Sequence, residues 1–187
     1  MVAAPAQARP LIEATLIEAI DPLPLAHELR DVHRAALGPG ALSDEWAADR
    51  LPAHTQRTGF VFLCAREDGG PVLGFGYGYT GGRGHWWAEN VARSLTGAQR
   101  EEWLERPHFE VAELHVLPAV QRRGIGSRLL AHLLTQQPHD RALLSTQVGS
   151  RRARSFYAKN GWQELAAVDF GPGYPPYLVL GRKLEPR

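Results

Sequence analysis

HVLPAVQRRGIGSRLL, residues 115–130, decides how this chain is read. An apolar strand closes at Pro118, a short turn carries two arginines and two glycines, and an apolar run at helical spacing follows, with Ile125, Leu129, Leu130, Leu133 and Leu134 on one face. A helix start leaves amide N–H groups without partners and carries a partial positive charge. Glycine at that place removes the Cβ that would hold an anion off the backbone. Gln121, Arg122, Arg123, Gly124, Ile125, Gly126 and Ser127 therefore form a cradle suited to a phosphate or pyrophosphate, and the two arginines can add charge-assisted contacts. The glycine pair alone would equally suit an ordinary strand–turn–helix with exposed arginines. The strand before it and the helix after it give the ligand reading its weight.

Outward from this turn the pattern is regular. Residues 24–38 place Leu25, Leu29, Val32, Ala36 and Leu37 at helical spacing. A second helix is expected from Ser43 as N-cap, broken or kinked at Pro52. GFVFLCARE and PVLGFGYGYT form a hairpin through DGG, with Phe75, Tyr77 and Tyr79 on one face. The glycines of GFGYGYT superficially resemble a dinucleotide fingerprint, but no helix follows and the spacing is wrong. Residues 80–107 form a long excursion in which 86–95 and 98–104 suit short helices. A strand over 108–118, the helix over 124–137, a strand over 141–148, a helix over 150–161 with Ser150 as N-cap and Gly161 as stop, and two closing strands complete the chain. The first strand is expected within 11–20, and residues 1–9 as a flexible tail. The order β–α–α–β–β–insertion–β–α–β–α–β–β predicts one mixed α/β domain over residues 1–187.

Composition excludes several classes. With 21 basic and 20 acidic side chains the formal charge is +1, which argues against a general nucleic-acid or membrane-surface binder. The single cysteine, Cys64, permits no intrachain disulfide and suits a reducing compartment. Without a signal-type or membrane-spanning apolar run, a cytoplasmic protein is expected. The eight histidines are scattered, with no HExxH or Cys/His cluster, and no metal is expected.

The quoted stretch resembles motif A of the GNAT superfamily of acetyl-coenzyme A-dependent N-acetyltransferases, Q/R-x-x-G-x-G/A after a strand ending V-x-P, with Gln121, Gly124 and Gly126 in place. ARSFYAKNGW resembles the family's A-R-x-L-Y-x-x-x-G-F, with Ala153, Arg154, Tyr157 and Gly161 aligned. The two matches cover about residues 108–163. The resemblance implies a central, mostly antiparallel sheet of about seven strands, splayed between its fourth and fifth strands and flanked by helices. It implies that the turn Gln121–Ser127 holds the pyrophosphate of acetyl-coenzyme A as co-substrate. It also implies that Leu114, His115 and Val116 bond the pantetheine arm in strand fashion, with a backbone N–H polarising the acetyl carbonyl. Ser150 stands where the family often has an asparagine that bonds the cofactor.

Acetyl transfer to an amine needs a base for the ammonium proton and an acid for the departing thiolate. Glu110 is the expected base. Simple alternation sets it on one strand face with Ala112, Leu114 and Val116, where a carboxylate needs a task or a partner. Family members with a catalytic glutamate on this strand carry it at this position. A solvated carboxylate at a strand end is the bland alternative. Glu113, expected on the opposite face with Val111 and His115 unless a bulge reverses the parity, is the rival, and His115 a further one. Tyr157 is the expected acid, since the family's tyrosine in this motif points at the sulfur.

The acceptor is read only as a small-molecule or peptide amine. Tyr79, His85, Trp86 and Trp87 are candidates for its pocket, with at least one tryptophan expected in the core. FGPGYPPYLVL is a candidate for the opposite wall or for a homodimer contact. Two rival functions stay open: a non-catalytic acyl-coenzyme A sensor on the same fold, and an enzyme using the glycine turn for another nucleotide phosphate.

Overall fold

Seven strands form one sheet in the order β1-β2-β3-β4-β5-β7-β6. They are β1 (Thr15–Glu18), β2 (Val61–Arg66), β3 (Val72–Gly81), β4 (His108–Val116), β5 (Arg141–Gln147), β6 (Gln163–Val168) and β7 (Tyr177–Lys183). The computed structural model describes residues 15–18, 21–67 and 69–185. The predicted tail 1–9 and the ends of the predicted first strand lie outside the described residues. Every neighbouring pair is antiparallel except β4 and β5, which run parallel. Those two pair only at Phe109↔Ala142 and Glu110↔Leu143. Beyond Glu110 they diverge, so the expected splay is present and leaves a wedge of unpaired backbone on both strands.

Helices cover both faces. On one face α6 (Ile125–Thr135) and α7 (Arg151–Lys159) pack on a core of Leu129, Leu130, Leu133, Phe109, Val111, Leu144 and Leu180. On the other, α1 (Ala26–Leu37) buries Leu29 and Val32 against Phe62, Cys64, Phe75 and Tyr77. Farther along that face, α4 (Trp86–Ser94) and α5 (Gly97–Trp103) bury Val91, Leu95 and Trp103 against Leu143 and Val179. The excursion is thus two packed helices, the second started by a reciprocal Thr96–Gln99 capping box.

Pro52 neither ends nor sharply breaks its helix. The chain runs from α2 (Ser43–Glu45) through a π-helical turn, Trp46–Arg50, into α3 (Leu51–Thr55), with Pro52 in the first turn of α3. The wide turn absorbs the missing proline N–H. Ser43 is not the N-cap: Leu42 holds that position, and the Ser43 hydroxyl bonds His33 instead.

The glycines of β3 have a packing role. A Cβ on Gly76 would lie 2.9 Å from both Leu133 Cδ1 and Leu114 Cδ1, so its absence lets α6 lie close on the sheet. Phe75, Tyr77 and Tyr79 share the opposite, α1-side face. No helix among the described residues is long and apolar enough to cross a membrane.

Candidate active site

The site is organised by one extra residue in β4. Register against β3 runs Tyr79↔Glu110 and Gly78↔Val111, then Tyr77↔Glu113, which leaves Ala112 unpaired in a bulge. The bulge corrects the expected faces. Glu110 does not share a side with Leu114 and Val116; those two pack under α6. Glu110, Glu113 and His115 instead oppose Tyr79, Tyr77 and Phe75 and all look toward α1–α3. The strict period of two fails because two consecutive residues sit on one side of the bulge.

Glu110 is 4% exposed, which removes the solvated-carboxylate alternative. Tyr79 donates its hydroxyl to Oε1 at 2.9 Å, and Oε2 is buried with no partner. Burial pushes the Glu110 carboxyl up to about 7, against the opposing pull of the Tyr79 hydrogen bond and the Arg57 charge. Arg57 lies over the Tyr79 ring, 4.8 Å from its centroid. Glu113 moves the other way. Burial would raise it, but the hydrogen bond from His115 and the charges of His115, His33 and His54 hold it below the usual carboxylate value. His115 Nε2 and Glu113 Oε2 are 2.5 Å apart.

Around this pair stand groups that spacing alone did not reveal. His33, on the buried face of α1 beside Leu29 and Val32, stacks on Trp46 at 4.5 Å and bonds Ser43 Oγ through Nδ1 at 2.8 Å. His54 Nδ1 lies 2.9 Å from the Tyr77 hydroxyl, which also accepts from Trp46 Nε1 at 3.2 Å. Burial lowers both His33 and His54 to about 4, so both are neutral at pH 7. A histidine at helical spacing from Leu29, on the apolar face of α1, was the one available sequence signal for His33.

The glycine turn lies across the sheet from these carboxylates. Gly124 caps α6 in the left-handed conformation at φ 82°, with open space where a Cβ would stand. No described group accepts from the amides of Arg122 through Ser127. Arg122, itself at φ 64°, and Arg123 form no ion pair among the described residues. Free amides, unpaired guanidinia and a helix start fit a diphosphate. Gln121 is already engaged: its Nε2 donates to the Val116 carbonyl at 2.9 Å, and its Oε1 accepts from Arg152 at 2.5 Å. Its side chain ties the turn to the end of β4 and to α7.

Leu114, His115 and Val116 pair with β3 on one edge and face the wedge with the other. Tyr157, in the last two turns of α7, packs on Phe156 and Trp162, and its hydroxyl has no hydrogen-bond partner among the described residues. Burial, aided by the Glu113 charge, raises the phenol, so it stays protonated at neutral pH. Ser150 precedes α7, but its side chain makes no capping bond. Of the two tryptophans, Trp87 packs partly into the core and bonds Ser145 Oγ at 3.1 Å, while Trp86 is 55% exposed and stacks on Phe170. Cys64 is fully buried, and burial raises its thiol.

Comparison with known proteins agrees with this architecture. Residues 58–164 match the acetyltransferase (GNAT) domain family. A GCN5-like protein acetyltransferase of Mycobacterium tuberculosis is 34% identical over 132 residues, 65% of this chain and 63% of that protein's length. A GNAT-family structure from Desulfovibrio desulfuricans superposes with a TM-score of 0.67 at 15% identity, covering 92% of this chain and 99% of the other. The PaiA N-acetyltransferase of Thermoplasma acidophilum, in complex with coenzyme A, superposes at 0.60 with 14% identity, over 90% and 99% of the two chains. The chain belongs to the GNAT acetyltransferase family.

Proposed function

We propose that this protein transfers an acetyl group from acetyl-coenzyme A to a primary amine by direct attack. The observation that carries the reading is Glu110: a buried carboxyl near 7, with one oxygen free, on the strand that borders the wedge. An alkylamine is mostly protonated at neutral pH, since its reference value is about 10.4. Glu110 accepts that proton through Oε2, directly or across one water, while Tyr79 steadies Oε1. The amides of Arg122–Ser127 grip the diphosphate, and Arg122 and Arg123 add charge. Backbone along Leu114–Val116 aligns the pantetheine arm in the wedge. The phenol of Tyr157 donates to the departing thiolate. Cys64, sealed in the core, takes no part.

The acceptor is a small-molecule or peptide amine. The name of the mycobacterial relative, a protein acetyltransferase, favours a peptide amine. Trp86, with Phe170 stacked on it and Tyr174 tilted beside it, supplies an exposed aromatic wall on the α4 side for its flanking groups.

The test is thiol release from acetyl-coenzyme A over a panel of peptide and small amines. Glu110→Gln is expected to slow kcat/KM by about 10²–10⁴-fold and to abolish its rise through neutral pH. Tyr157→Phe is expected to slow turnover while leaving coenzyme A affinity nearly unchanged. Binding of coenzyme A without turnover on any amine would make the protein an acyl-coenzyme A sensor, and preference for another nucleotide would refute the cofactor reading.

A further inference from the structure

The proton transfers proposed above leave His33, Glu113 and His115 without a task. One nitrogen from each histidine and one Glu113 oxygen lie within 4.8 Å of one another. Two of the three come from β4, two positions apart on one face; the third comes from α1, 80 residues earlier in the chain. From the geometry we infer that these three side chains form a site for a divalent transition-metal ion of the Zn²⁺ class.

The donor set is two imidazoles and one carboxylate, which suits a borderline-soft ion and not the all-oxygen shell of Mg²⁺ or Ca²⁺. Zn²⁺ holds nitrogen and carboxylate ligands at about 2.0–2.2 Å, which sets ligand atoms about 3.3 Å apart in a tetrahedron. His115 and Glu113 are already nearer than that at 2.5 Å, in a hydrogen bond whose proton the ion would replace. The remaining pairs, within 4.8 Å, must draw together as the ion binds. The surroundings match what a ligating histidine requires. His33 Nδ1 is fixed by Ser43 Oγ at 2.8 Å, and its Nε2 has no described partner. Trp46 lies flat against the His33 ring, and Phe75 lies 5.5 Å from that of His115, so both rings are held by packing. The opposing feature is Arg50, whose charge reaches His33. Three protein ligands leave a fourth position for water or an incoming group. The ion would stitch α1 to β4 on the side of the sheet where Glu110 stands.

The experiment uses the full chain freed of metal by chelation. Co²⁺ is titrated while its visible d–d absorption is followed, and Zn²⁺ binding is measured by calorimetry and by thermal shift. The expected result is one saturable ion per chain, the intense visible bands of low-coordinate Co²⁺, and a rise in Tm that chelator reverses. Ser43→Ala, which removes only the group orienting His33, is expected to weaken binding about 10- to 100-fold. His33→Ala and His115→Ala are expected to weaken it further, and Glu113→Gln likewise, with native circular dichroism retained. His132→Ala, at a half-buried histidine on α6 away from the cluster, is expected to leave binding unchanged. Absence of saturable binding to the wild-type chain overturns the inference, and needs no variant to fold. Binding at undiminished affinity in both His33→Ala and His115→Ala also overturns it, since the ion then sits elsewhere. None of these measurements uses acetyl-coenzyme A, so they stand or fall apart from the transferase reading.

Discussion

Glu110 and Glu113 are both turned toward α1–α3, yet their carboxyls shift in opposite directions. Glu110 has one hydroxyl donor and one bare oxygen, and burial dominates. Glu113 has a histidine in contact and two more nearby, and their combined effect outweighs burial. In the proposed mechanism this contrast favours Glu110 as the carrier of the transferable proton and Glu113 as the anion. It also makes Tyr79 a positioning residue, since its hydroxyl stabilises the ionised form of Glu110. Tyr79→Phe is therefore expected to raise the Glu110 value further and to move the acid limb of kcat/KM alkaline by about one pH unit. A pH–rate profile of the variant checks this; a limb left in place would detach Tyr79 from the proton transfer. The sequence offered both glutamates as candidates but misjudged their sides. The extra residue at Ala112 carries no mark that alternation can detect.

The turn ahead of α6 shows how two glycines in one motif do different jobs. Gly124 sits at φ 82°, where an L side chain is strained but the space is open. Gly126 has ordinary helical geometry, and a Cβ there would meet the Phe156 ring at 3.5 Å and Val116 Cγ2 at 3.7 Å, normal packing distances. Gly124→Ala is expected to cost about 1–2 kcal/mol and to weaken coenzyme A binding as the cradle shifts. Gly126→Ala is expected to be neutral or to stabilise by up to about 1 kcal/mol, from the better helix propensity of alanine. Thermal melts and coenzyme A titrations of the pair decide it. The helices were legible because their apolar spacing is plain, as in Leu129, Leu130, Leu133 and Leu134. The π-helical turn before Pro52 was not, since nothing local distinguishes it from a kink. The Ser43 hydroxyl was expected to cap its own helix but went to a histidine ten residues earlier, a long-range contact that local propensity does not encode.

Taken together, the layers separate the two halves of the proposed chemistry. In that proposal the turn, α6 and α7 serve the cofactor from one side of the sheet, and Glu110 serves the acceptor from the other. The wedge between β4 and β5 joins them. Motif order made this sheet legible, because the glycine turn and the Tyr157 motif lie in the stretch that borders the wedge. That His33 and His54 meet Glu113 and His115 of β4 was illegible, because distant segments come together only through the fold. Burying Glu110 also has a cost for stability. Its folded value, about 7, lies above the reference 4.5, so the native state holds the proton more tightly than the unfolded chain. Stability from this group is complete below about 4.5 and is lost as pH rises through 7, a difference of about 3 kcal/mol. Glu110→Gln is expected to flatten that part of the stability curve, as measured by urea unfolding at a series of pH values.

Ala112, the residue skipped by the β3 pairing, adds a single codon to the strand. Excising it would bring Glu113 directly after Val111 in the register they already hold against β3, so every side chain after it would keep its face. Leu114 and Val116 would stay beneath α6, Glu113 and His115 would stay toward α1, and only the local kink and added twist of the bulge would go. An in-frame loss of three bases here is therefore expected to leave the chain folded, and the altered spacing between Glu110 and Glu113 to show first in the pH–rate profile.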